Sequence, residues 1–287
     1  MPIGLYQLHT ATASQLCRLH YAQARANMSR PASERWQITA TSRPTGHRQD
    51  GCAHCSTMCS ASRASNTCAP QGWIFPAPCG PAKRRTRQYL FLQHALELGD
   101  ILIAAALLKR ADPRYCLERF IHERTLKRSP YRATWETRKC STYHMETATL
   151  IPDAFLDFRL VTLTGTRRLP VLLEHDRGTE EQRHFRQRIR AYISLLKSQG
   201  YKEWLGVRTM TIAFTTFTGG KRLSQMREWT QQELASTNEP RSIELIFCFT
   251  ALDQATLTGP DGPRQTWLEV GWRTAYEGEQ PVALLAE

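Results

Sequence analysis

The stretch that decides the fold is Leu169-Pro-Val-Leu-Leu-Glu-His-Asp-Arg-Gly-Thr-Glu180. Val171-Leu172-Leu173 is an apolar run short enough for a strand and suits burial on both faces. Asp176-Arg-Gly-Thr ends it with turn chemistry, and a helix follows. From Thr179 to Gln199 the residues Phe185, Ile189, Tyr192, Ile193 and Leu196 recur at helical spacing and make one apolar stripe. A strand, a glycine turn and an amphipathic helix predict an α/β unit.

Upstream, Leu150 to Leu163 reads as a partner strand, and Leu163-Thr-Gly-Thr166 as the turn that joins the two. Downstream, Trp204–Thr216 reads as a strand, Arg222–Leu234 as a helix and Ile243–Phe249 as a further strand. The order ββαβαβ predicts an α/β domain with a mixed sheet flanked by helices over 89–287. Tyr89 to Arg110 reads as a helix interrupted near Gly99. Asp112-Pro113 reads as the cap of another helix running to Leu126, with Leu117, Phe120 and Ile121 inward.

The hairpin concentrates carboxylates. Glu174 and Asp176 alternate with His175 and share a face. With Thr164-Gly165 as a two-residue turn, Asp153 falls opposite Asp176 and diagonal to Glu174. A slip of two in register keeps Asp153 near; a slip of one removes it. Three carboxylates at one sheet end repel unless a cation joins them, so Asp153, Glu174 and Asp176 are candidate ligands of Mg²⁺ or Mn²⁺ and candidate catalytic groups. Gly178 supplies the sharp turn, and Thr179 is the expected helix cap. Arg177, Arg183, Arg186, Arg188 and Arg190 are candidate contacts to a nucleic-acid backbone, set against the plainer reading of a solvated basic face.

The 287 residues carry 38 Lys and Arg against 26 Asp and Glu, a net +12. Such a balance suits a polyanion, nucleic acid first. The charge is unevenly spread. Residues 28–88 hold nine basic and two acidic residues, +7 of the +12, and positions 20–89 contain no Leu or Val. That segment cannot bury enough apolar area to order itself. It reads as a disordered basic linker or as out-of-frame translation. A zinc site at Cys52, Cys55 and Cys59 ranks well below both, because the spacings match no paired-knuckle pattern.

Residues 1–27 read as the start of a helical region, with Thr12 and Gln15 as a reciprocal cap. No secretory leader is visible, and Leu90–Leu108 carries Gln93, His94, Glu97 and Asp100 too centrally for a bilayer span. The expectation is a cytoplasmic protein with no membrane partner. No P-loop, dinucleotide fingerprint or nucleophile elbow is present.

Pro152-Asp153, Leu172-Leu-Glu-His-Asp-Arg-Gly-Thr179 and Arg188-Ile-Arg-Ala-Tyr192, in that order, resemble the core of the replication-relaxation family. His94 with Leu98-Gly99-Asp100 resembles the helical stretch before it. The resemblance implies a DNA-binding protein of plasmid or mobile-element replication, with DNA and plasmid replication proteins as partners. It also implies an N-terminal winged helix, of which 1–27 would be a remnant, degraded across 28–88. The layout is similar to the PD-(D/E)xK nuclease superfamily too, with Asp153 and Glu174 matching the two acids. Asp176 stands where the catalytic lysine belongs, and Arg188, Arg190 or Lys197 are the cations that could reach back from the helix. Two rivals follow: a Mg²⁺-dependent DNA endonuclease, and a non-catalytic adaptor that binds DNA or a replication protein.

Overall fold

The computed structural model describes residues 11–12, 14–15, 17–19, 82–139, 142–276 and 280–285. The zinc cysteines, residues 28–81 of the proposed linker and most of the winged-helix remnant lie outside them, whereas residues 82–88, expected to belong to the linker, form the first two turns of a helix that continues to Ala111.

The chain forms a six-stranded mixed sheet with helices on its faces and a separate two-stranded ribbon. Helix α1 (Ala82–Ala111) leads in. Strand β1 (Tyr115–His122) and the short α2 (Glu123–Leu126) follow. Next come the ribbon strands β2 (Tyr131–Lys139) and β3 (Thr142–Leu150). The hairpin β4 (Ala154–Thr162) and β5 (Gly165–Asp176) opens the main sheet. Helix α3 (Gln182–Lys197), α4 (Tyr201–Leu205) and β6 (Thr211–Thr216) come next. Then follow α5 (Gly220–Ser236), α6 (Arg241–Glu244) and β7 (Phe247–Ala251). The chain closes with α7 (Gln254–Thr258), α8 (Gly262–Trp267) and β8 (Arg273–Thr274).

In space the order is β1-β4-β5-β6-β7-β8. The β5–β6 and β6–β7 pairs are parallel and joined through α3 and α5, while β1, β4 and β8 add antiparallel. This is the ββαβαβ sheet that the sequence predicts, with one more strand at each edge. Two cores result. Phe155, Leu172, Ile212, Phe214, Phe247 and Phe249 bury one sheet face under α3 and α5. Leu156, Phe158, Leu160, Val171 and Leu173 bury the other beneath α1, Trp267 and Trp272. The two tryptophans are core residues, and Trp204 and Trp229 pack against the first core.

Four local expectations are corrected. First, α1 is unbroken at Gly99. The side chain of Gln15 occupies the space a Cβ there would enter, at 3.3 Å, and Gln15 donates to the Leu96 carbonyl. The glycine lets Gln15 approach the helix closely and does not break it. Second, the segment after Pro113 is strand β1, not helix. Leu117, Phe120 and Ile121 mimic helical spacing because a register irregularity between Leu117 and Arg119 interrupts the alternation. Third, the hairpin turns on Leu163-Thr164, since Thr162 faces Gly165 and Ala154 faces Leu173. The register therefore differs by two from the expected one, and Asp153 comes beside Glu174. Fourth, α3 starts at Gln182 with Glu181 as an N-cap that makes no side-chain bond, so Thr179 is not its cap.

The reciprocal cap at the N-terminus is present. Thr12 donates its amide to Gln15 Oε1 at 2.9 Å, and Gln15 donates its amide to Thr12 Oγ1 at 3.2 Å. Residues 89–111 of α1 are long and apolar enough to cross a membrane. However, Leu98, Ile101, Leu102, Ala105 and Leu108 are buried against the sheet, and Asp100 takes hydrogen bonds from Arg18 and Gln254 at 2.6 Å each.

Candidate functional site

The C-terminal end of β5 delivers Glu174, His175 and Asp176 in succession, and each enters a different set of partners. Glu174 is 4% exposed. It accepts a hydrogen bond from the Tyr192 hydroxyl and one from Arg188 at 3.0 Å, both from α3. Arg188 also donates to Glu180 at 2.8 Å, so one guanidinium bridges two carboxylates. Burial pushes the Glu174 carboxyl up to about 7; Arg188 opposes this and the Asp153 charge adds to it. Burial likewise raises Glu180.

Asp153 precedes β4 and caps the backbone of β5, accepting the His175 amide at 2.7 Å. His94 of α1 places Nε2 at 3.4 Å from Asp153 Oδ2 and 3.2 Å from the His175 carbonyl oxygen. Burial disfavours the His94 imidazolium, but its bond to Asp153 and the Asp153 charge win and raise its pKa. The converse holds for Asp153: burial opposes its charge, yet His94 and the His175 amide hold its pKa below the ordinary carboxylate value. Two adjacent carboxyl groups are thus pushed in opposite directions by their surroundings.

The His175 side chain points to the other sheet face, into a buried bridge between Thr215 and Glu97 at 3.0 Å each. Arg177 donates to Glu97 at 3.1 Å and to the Leu90 carbonyl at 2.9 Å. Asp176 accepts the Gly178 amide at 2.6 Å and a two-pronged bond from Arg222 of α5, at 2.7 and 2.9 Å. The guanidinium of Arg222 stacks over Trp229, 4.9 Å from the ring centre.

The expected site residues therefore part company. Asp153, Glu174 and Arg188 come together, with Glu180, His94 and Tyr192 added. Asp176 is committed to Arg222. Arg186 and Arg190 both bind the fully buried Glu233 and keep about a third of their surface exposed. Arg177 is bound to α1. Arg183 is exposed and makes no hydrogen bond or ion pair among the described residues. Arg188 is the cation that reaches back; Arg190 goes to Glu233 and Lys197 to Glu239. His94, Glu97 and Arg222 are not legible as site residues in the sequence, since 46 to 81 positions of chain separate the bonded pairs.

A three-carboxylate metal centre does not fit these side chains. No three His, Cys, Asp or Glu among the described residues are placed to hold one ion. The oxygens of Asp176 are taken by a guanidinium and an amide, and those of Glu174 by a guanidinium and a phenol. Arg188 and Arg222 supply positive charge to these carboxyl groups, and the Tyr192 hydroxyl supplies a hydrogen bond.

Glu174 and Arg188 line a cleft of about 350 Å³ with Glu180, His184 and Gln187. Beside it a second hollow of about 610 Å³ is lined by Arg183, Arg186, Arg190, Gln182, Gln187 and Glu146. Gln187 belongs to both, and β3 walls both, from Glu146–Thr147 to Ala148–Leu150. The two hollows meet at Gln187 along the α3–β3 side of the fold, and together they are called the α3–β3 groove.

Residues 4–211 match the replication-relaxation family. The chain belongs to that family. The match contains Asp153, the β5 acids and the Arg188–Tyr192 stretch, and family membership points to a role in plasmid or mobile-element replication. No functionally curated protein and no solved structure matches the chain.

Gly178 tests the turn that seats this replication-relaxation site. Its φ is +75°, and a Cβ there would lie 3.1 Å from Thr218 Oγ1 and Cγ2. Gly178→Val should cost about 1–3 kcal/mol through left-handed strain plus this contact. Denaturant melts read it directly, and an unchanged midpoint would mean that the turn is not formed this way.

Proposed function

We propose that this replication-relaxation protein acts in the cytoplasm by binding DNA, and that the α3–β3 groove receives the phosphate backbone. One observation carries the reading: three arginines and two glutamines of α3 line an open groove that leads to the Arg188-bridged acids. Glu233 holds Arg186 and Arg190 from behind through part of each guanidinium, and a guanidinium has five N–H donors. The remaining donors stay available to phosphate oxygens. Arg183 has no side-chain partner among the described residues. Binding without cleavage is the form of the reading that the paired carboxylates favour, because their oxygens are already occupied by this chain's own donors.

Arg183→Glu combined with Gln187→Glu reverses the charge of the groove and leaves the buried Glu233 pairs intact. Anisotropy titrations with labelled DNA across a salt series should show about tenfold or greater weakening and a shallower dependence on salt. Wild-type affinity in the variant would remove the groove from DNA binding.

A further inference from the structure

The arginines of α3 are mostly spoken for within the molecule, yet the folded unit has a second concentration of positive charge. Residues 114–144 contain eight Lys or Arg and three Asp or Glu, +5. The rest of 89–287 contains nineteen basic and twenty-one acidic residues, −2. The entire basic excess of the folded part thus lies on β1, α2, the loop after it and the β2–β3 ribbon.

The ribbon is a two-stranded sheet of its own. Its inward residues, Ala133, Trp135, Ala148 and Leu150, are buried or half-buried and pack with the core under α3. Its other face carries Arg132 opposite Thr149, Thr134 opposite Thr147, and Glu136 opposite Met145. All six are exposed. Tyr143 and Met145 expose 64% and 66% of their surface. At the root of the ribbon Arg124, Lys127 and Arg128 are exposed as well. Lys127 pairs with Glu123, whereas the side chains of Arg124, Arg128 and Arg132 make no hydrogen bond or ion pair among the described residues.

We infer that the β2–β3 ribbon is a second DNA-contacting arm, one that lies in a groove of duplex DNA while Arg124, Arg128 and Arg132 hold the flanking phosphates. The inference rests on the DNA-binding reading above and adds the form of DNA and the element that meets it. A two-stranded ribbon fits the major groove, which is about 12 Å wide. Nine residues at about 3.3 Å each give a strand of roughly 30 Å, close to one duplex turn. The outward face offers hydroxyl groups for base edges and phosphates, and Met145 and Tyr143 offer apolar surface for thymine methyl groups. Unpaired guanidinium groups gain most from phosphate, since no internal partner has to be given up.

The test uses the full chain and one labelled sequence of about three duplex turns, as duplex and as single strand, across a potassium chloride series. The ribbon variant is Arg124→Gln, Arg128→Gln and Arg132→Gln; the groove variant is the Arg183→Glu, Gln187→Glu pair. All five positions are exposed or line open solvent, and circular dichroism confirms folding. The ribbon variant should lower the log–log salt slope on duplex by about three, roughly one per phosphate contact, and weaken duplex binding at least about tenfold. Single-strand binding should change less than about threefold. Methylation of guanine N7 should be blocked by wild type and not by the ribbon variant. Duplex binding equal to wild type in the ribbon variant, with the groove variant impaired, overturns the arm and leaves the DNA-binding reading standing. Equal loss on duplex and single strand overturns the duplex assignment. Wild-type protein that binds neither form overturns both.

Discussion

Arg222→Met should destabilise the protein by about 3–5 kcal/mol, the usual cost of removing one member of a buried ion pair. Arg222 is 7% exposed and Asp176 is 6% exposed. The pair is joined by two hydrogen bonds, and Arg222 also donates to the Glu180 carbonyl at 2.9 Å. Methionine fills much of the same space but leaves the Asp176 carboxylate with the Gly178 amide alone. The loss comes from that stranded charge, not from lost volume. The double variant Arg222→Met, Asp176→Asn should therefore recover part of the loss, because a neutral amide is cheaper to bury. Urea melts of the four proteins in this cycle supply the coupling energy. If Arg222→Met costs under about 1 kcal/mol, Asp176 and Arg222 are not paired as described.

The second large effect depends on pH. The native Glu174 carboxyl titrates near 7, against an ordinary value of 4.5. Between those values the native state holds a proton that the unfolded state has released, so wild-type stability falls as pH rises. The favourable contribution is complete below about pH 4.5 and is lost through pH 7. Glu174→Gln keeps an acceptor for Tyr192 and removes the titration. Relative to wild type, the variant should gain up to about 3 kcal/mol between pH 4.5 and 7, because a tenfold change in proton concentration is worth about 1.4 kcal/mol. Paired melts at pH 5 and pH 8 measure this. Parallel stability curves for the two proteins would show that Glu174 is not held as a neutral acid.

What is legible in the sequence follows from how far apart the interacting residues lie. Val171-Leu172-Leu173 and the stripe of α3 declare themselves because each is a local pattern with its own period. The Gly178 turn declares itself because only glycine takes that φ cheaply. Strand β1 reads as a helix because the irregularity after Leu117 turns a period of two into an imitation of 3.6. The ribbon, over 131–150, gives a weak strand signal because its covered face is supplied in part by small residues such as Ala133 and Ala148, which carry little apolar contrast with the exposed face.

The chemistry of the acids is legible only in part. Alternation along β5 places Glu174 and Asp176 on one face, and the proximity of Asp153 survives a two-residue error in the turn. The pattern names Arg188 as one of three cations able to reach the acids but does not choose among them, and it does not show Arg222. Arg188 lies 14 residues from Glu174, and Arg222 lies 46 from Asp176. Tyr192 reads as one member of an apolar stripe, but its hydroxyl reaches Glu174. The carboxyl groups expected to hold a metal are thus each bonded to donors from this chain: Glu174 to Arg188 and Tyr192, Asp176 to Arg222, and Asp153 to the His175 amide.

Hydrogen–deuterium exchange of the full chain, free and saturated with duplex DNA, tests the central claim most directly. The α3–β3 groove predicts slowed exchange over 142–150 and 180–191, strongest in the first turns of α3, whose N-cap makes no side-chain bond. Bound DNA that leaves both segments unchanged would contradict the account.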